Sequence, residues 1–309
     1  MSLVTCHWLA ACYFDDPMAE KPRGRLLIVG TPIGNLEDFS PRARRALEQA
    51  DAIFCEDTRV TGKLASRFGL KAPRISTPAP RERSRVPELL RRLEAGETVA
   101  LVSDAGMPLL SDPGEELVNA AASAGFTVEV VPGPSAPAAA LAVSGISAVP
   151  HFFVGFLPPR SGQRRRLLEE LASRAETLVW FEAPHRLVPS LEDAASVLGE
   201  RRACVARELT KIHEEAARGT LGELARLFRS RGAGRGEATV VVEGAASGRP
   251  ELSEPDVDRE IAQALAAGTA PRQLAKQIAR GSGRPAREIY ARAIALARGA
   301  KGEGRTAKE

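Results

Sequence analysis

The sequence predicts two α/β domains followed by a small helical module. Short apolar strands alternate with amphipathic helices from Arg25 onward, the alternation starts again at Phe152, and a stretch rich in glycine, serine and proline follows Gly244. The predicted organisation is an N-terminal extension over residues 1–24, α/β domains over 25–150 and 151–246, a linker and helical module over 247–300, and a disordered tail over 301–309.

The elements of the first domain follow from buried runs and cap signals. Leu26 to Val29 predicts a buried strand, and Ser40 followed by Pro41 predicts the N-cap and first residue of a helix. Alternating strands and helices favour a largely parallel sheet. The other elements are a strand over 52–55, a helix through Phe68, a basic loop over 78–85, a helix ending at Gly96, strands over 98–102 and 127–131, and a closing helix over 135–144.

The second domain begins with a strand over 152–156 and a very basic helix that contains Arg164, Arg165 and Arg166. Its arginine- and glycine-rich segment from Arg229 to Gly236 is typical of a mobile surface loop. The remaining predicted elements are strands over 177–181, 203–206 and 238–242, and C-terminal helices over 255–266, 271–279 and 285–297.

Composition and charge are those of a soluble globular protein with an uneven charge distribution. The 309 residues are 44% apolar and 27% charged, and the formal net charge is +4. From Ala270 onward, ten Lys or Arg residues stand against three Glu. A basic tail suits a polyanionic partner, although a solvated helical face explains the same surplus.

Several classes of protein are disfavoured. The four cysteines and four histidines show no metal-ligand spacing, no apolar run reaches the ~20 residues of a membrane span, and residues 3–14 lack the pattern of a signal peptide. We therefore expect a cytoplasmic protein with reduced thiols, no metal and no membrane contact. Residues 1–17, which precede Met18, are interpreted as an upstream start or an extension.

Familiar nucleotide and nucleophile motifs do not fit. Gly30-Thr-Pro-Ile-Gly34 is not GxGxxG, Gly62-Lys63 lacks the other features of a phosphate-binding loop, and Ser135 is not in a GxSxG turn.

Two small-residue turns instead point to a ligand site. Ser103-Asp-Ala-Gly-Met-Pro108 and Pro132-Gly-Pro-Ser135 each follow a predicted strand, and open α/β sheets bind ligands at that edge. Glycine and proline allow close approach of the backbone, and Asp104 adds a charged acceptor. The sequence therefore predicts a small-molecule site there.

Seven strand-end motifs occur in order between Leu26 and Gly244, and together they resemble the bacterial small-subunit rRNA cytidine 2′-O-methyltransferases of the tetrapyrrole methylase superfamily. The motifs are Gly30-Thr-Pro-Ile-Gly-Asn-Leu36, Glu56-Asp-Thr-Arg59, Ser103-Asp-Ala-Gly106 with Ser111-Asp-Pro-Gly114, Pro132-Gly-Pro-Ser135, Gly155-Phe-Leu-Pro158, Phe181-Glu-Ala-Pro-His-Arg186 and Ala206-Arg-Glu-Leu-Thr-Lys211.

The resemblance implies two α/β domains of the tetrapyrrole methylase type with S-adenosylmethionine in the cleft between them, and a homodimer. It implies methylation of a ribose hydroxyl in the decoding region of 16S rRNA, within the assembled small ribosomal subunit. A sulfonium methyl group needs no metal and no covalent enzyme intermediate, so the residues are compatible with this chemistry.

The resemblance also suggests site residues. The candidates for assisting attack by the hydroxyl are Lys211 first, then Glu182, His185 and Glu208, and Lys211 would either accept the proton or, as a cation, polarise the oxygen. The alternatives are that Lys211 is ion-paired to a nearby Glu, that the carboxylates lie at helix starts or interfaces, and that His185 caps a helix. The cofactor-binding candidates are Pro32, Asp104, Ala105, Gly106, Pro108, Pro132, Gly133, Pro134 and Ser135. The substrate or RNA candidates are Asn35, Asp57, Thr58, Arg59, Arg81, Arg83, Arg85, Arg160, Arg164, Arg165 and Arg166, where Asp57 and Arg59 alternatively form a structural ion pair.

The chain departs from the family pattern at two places. Residues 76–83 stand where the family shows two histidines and an asparagine, and Met107 replaces a threonine. Two rival functions remain at this point, namely a precorrin-type tetrapyrrole C-methyltransferase, against which the basic loops and tail argue, and a non-catalytic RNA-binding assembly factor.

Overall fold

A parallel five-stranded sheet forms the first α/β half. The computed structural model describes residues 24–232, 234, 236–245, 254–267, 269–282 and 285–303. The strand order is β3-β2-β4-β1-β5, and each neighbouring pair is parallel, as expected from the alternating pattern. The strands are β1 (Arg25–Val29), β2 (Ala52–Cys55), β3 (Arg74–Ser76), β4 (Thr98–Val102) and β5 (Thr127–Val131).

Helices cover this sheet and follow the predicted caps. The Ser40 hydroxyl accepts the Ala43 amide at 3.0 Å, and Pro41 opens the first helix. The predicted basic loop over 78–85 is wrong in part, because a short 3-10 helix (Ala79–Arg81) leads directly into a helix from Glu82. The helices are α1 (Pro41–Glu48), α2 (Thr58–Phe68), α3 (Glu82–Glu94), α4 (Glu115–Ser123) and α5 (Ala136–Ser144).

The second half contains a mixed sheet of order β6-β7-β10-β8-β9. Only β6 and β7 are parallel, and β10 lies antiparallel between β7 and β8. Strand β10 therefore starts at the edge of the sheet where β7 and β8 end. The strands are β6 (His151–Phe156), β7 (Thr177–Glu182), β8 (Arg202–Arg207), β9 (Glu215–Thr220) and β10 (Ala238–Val242).

Helix α5 joins the two halves. It was predicted to close the first domain, but its Ala140 and Leu141 pack in one buried cluster with Val179, Cys204 and Val241 of the second sheet. The described residues of both halves, through Ala172 and from Glu176 to Glu243, consequently form one compact unit.

The helices of the second half are α6 (Ser161–Leu171), α7 (Pro184–Leu198) and α8 (Leu221–Arg231). Residues Arg229 to Arg231, predicted to lie in a surface loop, form the last turn of α8. Phe228 packs in the core and stabilises this end of the helix. The Arg231 guanidinium stacks on the Phe228 ring, 4.6 Å from its centroid.

The C-terminal helices form the second compact unit. They are α9 (Glu254–Ala266), α10 (Pro271–Ser282) and α11 (Ala286–Glu303), and α11 continues past the predicted boundary at residue 300. Val257, Ile261, Leu274, Ile278 and Ile289 form their small core. The expected N-terminal extension, apart from Gly24, and residues 304–309 of the expected tail lie outside the described residues.

Candidate active site

The loops that follow β1 and β4 are fixed to each other at the carboxyl edge of the parallel sheet. Thr31 and Gly106 exchange backbone hydrogen bonds of 2.9 and 3.2 Å. Gly106 has φ 84°, and a Cβ there would stand 3.2 Å from Ile33 Cγ2 and 3.3 Å from the Pro134 carbonyl oxygen. These turns therefore form one continuous surface, and glycine is needed where they meet.

The loops that follow β1 and β5 touch through two glycines. A Cβ on Gly30 would lie 2.6 Å from Gly133 Cα, and a Cβ on Gly133 would lie 2.8 Å from Gly30 Cα. Met107 sits against the same contact, since its Sδ accepts the Gly133 amide at 3.2 Å. The methionine that departs from the family pattern thus packs between the two turns.

A cavity of about 570 Å³ lies between the two halves of the compact unit. Its size is in the range of pockets that hold small molecules. Both apolar and charged side chains line it. The lining residues from the first half are Ile33, Glu56, Asp104, Ala105, Met107, Leu110, Ser111, Asp112, Ala136 and Pro137. Those from the second half are Phe156, Phe181, Ala206, Glu208, Leu209, Lys211, Gly236, Glu237 and Thr239.

The predicted cofactor-binding residues are distributed over this cavity and two adjoining hollows. Asp104 and Ala105 line the cavity itself. Residues 132–135 line a hollow of about 480 Å³ with Ile33 and Thr210. Pro32 and Asp104 line a smaller hollow of about 210 Å³. Gly106 and Pro108 are buried within the turn and line neither the cavity nor these two hollows.

Carboxylates dominate the charge of the cavity. Burial, together with the negative charge of Glu56, raises the pKa of Asp112 to about 6. Burial also raises the pKa of Glu56 and of Asp104, although the Asp104 carboxylate accepts the Asp57 amide at 3.1 Å. The cavity therefore favours a cationic ligand, because a positive charge would relieve the repulsion among these groups.

Replacing Asp112 by Asn is expected to stabilise the fold above pH 6. The folded pKa of about 6 lies above that of an unfolded Asp, so the cost of ionising Asp112 in the folded protein develops as the pH rises from about 4 to about 6 and is fully present above that range. The variant should gain about 1–3 kcal/mol in free energy of unfolding at pH 8, and the gain should shrink as the pH falls from about 6 to about 4 and be absent below that, as measured by urea denaturation. Glu115→Gln, at an exposed acid of the same segment, is the matched control. A lower stability of Asp112→Asn at every pH would contradict the expectation.

Lys211 and Glu208 reach the cavity from the loop between β8 and β9. Lys211 Nζ lies 3.0 Å from Glu208 Oε1, so Lys211 does form the ion pair with a nearby Glu that was one of its two predicted environments. The Lys211 side chain is 40% exposed. The loop is held in an unusual conformation, with φ 49° at Glu208 and 67° at Thr210. Thr210 Oγ1 also accepts the Asn35 amide at 3.0 Å, which ties this loop to the one after β1.

Asp57, Thr58 and Arg59 form the start of α2. Asp57 caps the helix by accepting the Arg59 amide at 2.8 Å, and its carboxylate lies 2.6 Å from the Arg59 guanidinium. The Arg59 hydrogen bond lowers the pKa of Asp57 to about 2. The local ion pair is therefore present, while the Arg59 side chain stays 88% exposed. Asn35 likewise caps a short 3-10 helix through the Glu37 amide at 3.0 Å.

Glu182 and His185 do not line the cavity. Glu182 is fully buried at the end of β7, where its Oε1 lies 3.0 Å from Arg186 Nε. His185 is exposed in the first turn of α7. The structure thus separates these two residues from Lys211 and Glu208.

The basic residues expected at an RNA surface differ in how far their side chains are exposed to solvent. Arg164 is buried, 2.6 Å from Asp193, and donates to the carbonyl oxygens of Pro158 and Pro159, so the expectation that it contacts RNA is wrong for this structure. It shares the buried face of α6 with Leu168 and Leu171. Arg85 is partly buried and donates to the Ser76 carbonyl oxygen at 3.0 Å. The exposed members are Arg81, Arg83, Arg160, Arg165 and Arg166.

Three acids of the cavity had no predicted role. Glu56 and Asp112 belong to the motifs Glu56-Asp-Thr-Arg59 and Ser111-Asp-Pro-Gly114, which follow β2 and β4, and that position after a strand end could have predicted their place in the cavity. Glu237 precedes β10, so it reaches the cavity only because that strand runs antiparallel. Sequence alone does not give that direction.

Within the described ranges, no group of three His, Cys, Asp or Glu residues has the geometry of a metal site. None of the described helices is both long and apolar enough to cross a membrane. Cys55 and Cys204 are buried thiols.

The sequence matches known proteins over most of its length. Residues 25–225 match the profile of the family described as Tetrapyrrole (Corrin/Porphyrin) Methylases. A protein of Synechocystis named Ribosomal RNA small subunit methyltransferase I is 42% identical over 88% of this chain and 98% of its own length. A protein of the same name from Thermotoga maritima is 45% identical over 72% of this chain and 99% of its own length. Another, from Xylella fastidiosa, is 43% identical over 86% of this chain and 98% of its own length.

Solved structures share the fold at lower identity. The methyltransferase CobJ has a TM-score of 0.56 at 20% identity and covers 72% of this chain and 95% of its own. Diphthine synthase has a TM-score of 0.57 at 14% identity, covering 72% and 90%. The cobalt precorrin-4 methyltransferase CbiF has a TM-score of 0.55 at 20% identity, covering 74% and 98%.

Proposed function

The chain belongs to the tetrapyrrole methylase family and, within it, to the ribosomal RNA small subunit methyltransferase I group, and we propose that it methylates the 2′-oxygen of a cytidine ribose in 16S rRNA. The methyl donor is S-adenosylmethionine, and the target lies in the decoding region. The observation that carries the proposal is the cavity between the two halves, where the strand-end turns face the loop of Lys211 and Glu208.

The residues of the cavity fit S-adenosylmethionine. When bound, this cofactor supplies an electrophilic methyl group on a positively charged sulfonium. The acidic side chains of Glu56, Asp104 and Glu237 complement such a cation, and Ile33, Met107 and Leu110 offer apolar contacts. The turns over 104–108 and 132–135, together with Pro32, hold the cofactor in this proposal, because their glycines let backbone groups approach a ligand closely.

The protein then positions the ribose and stabilises the charge that develops on its oxygen. Lys211, as an ion-paired ammonium, has no lone pair to accept a proton, but it can donate hydrogen bonds to the oxygen as negative charge develops. Glu208 holds Lys211 at the cavity, and the unusual backbone of the loop fixes both. We assign Lys211 an electrostatic role.

The exposed arginines supply RNA affinity. Arg81, Arg83, Arg160, Arg165 and Arg166 lie on the surface of the compact unit, and the C-terminal helices add Arg272, Lys276 and Arg287. Such charges bind phosphates and give salt-dependent affinity with little sequence information. We therefore propose that the assembled small ribosomal subunit presents the target nucleotide.

A homodimer is the proposed assembly. Val130 on the edge strand β5 is 52% exposed, and Val149 before β6 is 80% exposed. Exposed apolar side chains at an edge strand are candidates for such an interface.

Lys211→Met is expected to reduce methyl transfer by about 100-fold or more, because it removes one donor from the developing oxyanion. The experiment transfers labelled methyl groups from S-adenosylmethionine to small ribosomal subunits that lack the modification, and maps the product by mass spectrometry. Lys71→Met, at an exposed lysine outside the cavity, is the matched control. The affinity for the cofactor, measured by calorimetry, should change little in both variants.

The products of the wild-type protein distinguish rRNA methylation from the two alternative functions. A 2′-O-methylcytidine in the decoding region supports the proposal. Cofactor binding without transfer to RNA would favour another substrate, such as a tetrapyrrole, whereas RNA binding without cofactor binding would favour an assembly factor. Full activity of Lys211→Met would remove Lys211 from the mechanism.

A further inference from the structure

The loop of the Ser111-Asp-Pro-Gly114 motif lies where the two halves meet. Ser111 Oγ is 3.1 Å from the position that a Cβ on Gly155 would occupy. Gly155 stands at the irregularity in the pairing of β6 with β7 and has φ 77°. The second sheet therefore makes room for this loop with a glycine and a bulge.

The backbone of the loop is held in a strained conformation. Leu109 and Ser111 have φ values of 71° and 74°, a region that side-chain-bearing residues rarely adopt. Leu110, Ser111 and Asp112 all line the cavity. Strain of this kind persists only where the surrounding structure fixes the segment, so the Asp112 carboxylate has a defined place in the cavity wall.

Two other charged groups of the cavity, Asp104 and Glu208, are engaged in contacts of their own. The Asp104 carboxylate accepts the Asp57 amide at 3.1 Å, and Glu208 is paired to Lys211 at 3.0 Å. Glu56 after β2 and Glu237 before β10 face Asp112 with like charge and raise its pKa, whereas the nearby Ser103 hydroxyl lowers it. The balance of these contacts leaves the pKa of Asp112 at about 6, so the group is ionised at neutral pH yet remains basic enough to take a proton.

We propose that Asp112 is the general base that accepts the proton of the ribose 2′-hydroxyl. This assignment rests on the proposed function. In the step, the 2′-oxygen forms a bond to the methyl carbon, and the carbon–sulfur bond breaks with its electron pair passing to sulfur. The hydroxyl proton passes to the Asp112 carboxylate and then to solvent. Lys211 faces the same oxygen as a hydrogen-bond donor, so the two residues have separate roles.

Two measurements test the assignment with Asp112→Asn, Asp112→Glu and the control Glu115→Gln. In the protein without ligands, carboxyl ¹³C NMR of labelled aspartate should show a titration near pH 6 that Asp112→Asn removes. In single-turnover methyl transfer to small ribosomal subunits between pH 5 and 8, the wild-type rate should rise tenfold per pH unit below about 6 and then level.

Asp112→Asn should lower the rate by about 100-fold or more and remove the inflection, while the dissociation constant for S-adenosylmethionine changes by less than about threefold. Asp112→Glu should retain an inflection, and Glu115→Gln should match wild type. An unchanged rate and profile in Asp112→Asn overturns the inference and leaves the proposed function intact. A weakened cofactor affinity with an unchanged maximal rate also overturns it, because Asp112 would then bind cofactor. Absence of ribose methylation by the wild type overturns the proposed function itself.

Discussion

Gly30→Ala is expected to lower the affinity for S-adenosylmethionine by about 100-fold. The added Cβ would stand 2.6 Å from Gly133 Cα, 2.7 Å from Gly133 N and 2.7 Å from Met107 Sδ. Two of these atoms belong to backbone, so side-chain rotation cannot relieve the clash and the turns after β1 and β5 must separate. Loss of about 3 kcal/mol of contact between these turns and the cofactor corresponds to roughly 100-fold in affinity.

The matched control is Gly62→Ala in the middle of α2. The nearest atom to its new Cβ is Arg74 Nε at 4.0 Å, so the methyl group fits. Alanine is the better helix former, and the variant should gain about 0.5–1 kcal/mol in stability with unchanged cofactor affinity. Calorimetry gives the affinities, and circular dichroism with urea unfolding shows whether Gly30→Ala remains folded.

Wild-type affinity in a folded Gly30→Ala protein would show that the turns after β1 and β5 do not hold the cofactor. An unfolded Gly30→Ala protein would make Met107→Ala the informative variant. This truncation removes the side chain packed against Gly133 without adding atoms, and it should weaken cofactor binding while the fold is retained.

The first half of the fold was predictable because its strands are buried on both faces. Strands β1, β2 and β4 read as continuous apolar runs, and helix caps such as Ser40-Pro41 mark the intervening elements. The second sheet was harder to predict from the sequence. Strand β9, Glu-Ala-Ala-Arg-Gly-Thr, has a single β-branched residue and forms an edge next to β8, so its sequence carries no strand signal.

The candidate site was predictable where it rests on parallel strand ends. The turns over 103–108 and 132–135 were found in this way, and the structure places them around one cavity and its adjoining hollows. Glu237 could not be found, since its location depends on the direction of β10. Arg164 was misassigned although its spacing to Leu168 and Leu171 matches a buried helix face, because a run of three arginines masks which one points inward.

Arg186→Ala is expected to destabilise the fold by about 3–5 kcal/mol. Glu182 is 0% exposed, and Arg186 Nε lies 3.0 Å from its Oε1 while the same guanidinium donates to the Leu157 carbonyl oxygen. The remaining polar partner of the carboxylate is the Ala183 amide at 3.1 Å. Truncating Arg186 would therefore leave a buried carboxylate without its counter-charge.

Restoring charge balance should recover part of that loss. In Arg186→Met with Glu182→Gln, no buried charge remains, and the double variant should be more stable than either Arg186→Ala or Arg186→Met alone, as measured by urea unfolding at pH 7.5. Additive losses in the double variant would show that the two side chains act independently rather than as a pair.

The same variants separate a structural role of Glu182 from the catalytic role that the sequence suggested. If Glu182 supports the end of β7, the double variant should transfer methyl groups at a rate within about threefold of wild type wherever it is folded, since neither side chain lines the cavity. If Glu182 moves a proton, Glu182→Gln should lower that rate by about 100-fold or more even in a well-folded protein. The burial of Glu182 and its contact with Arg186 favour the first result, because a general base must reach the hydroxyl from which it takes the proton.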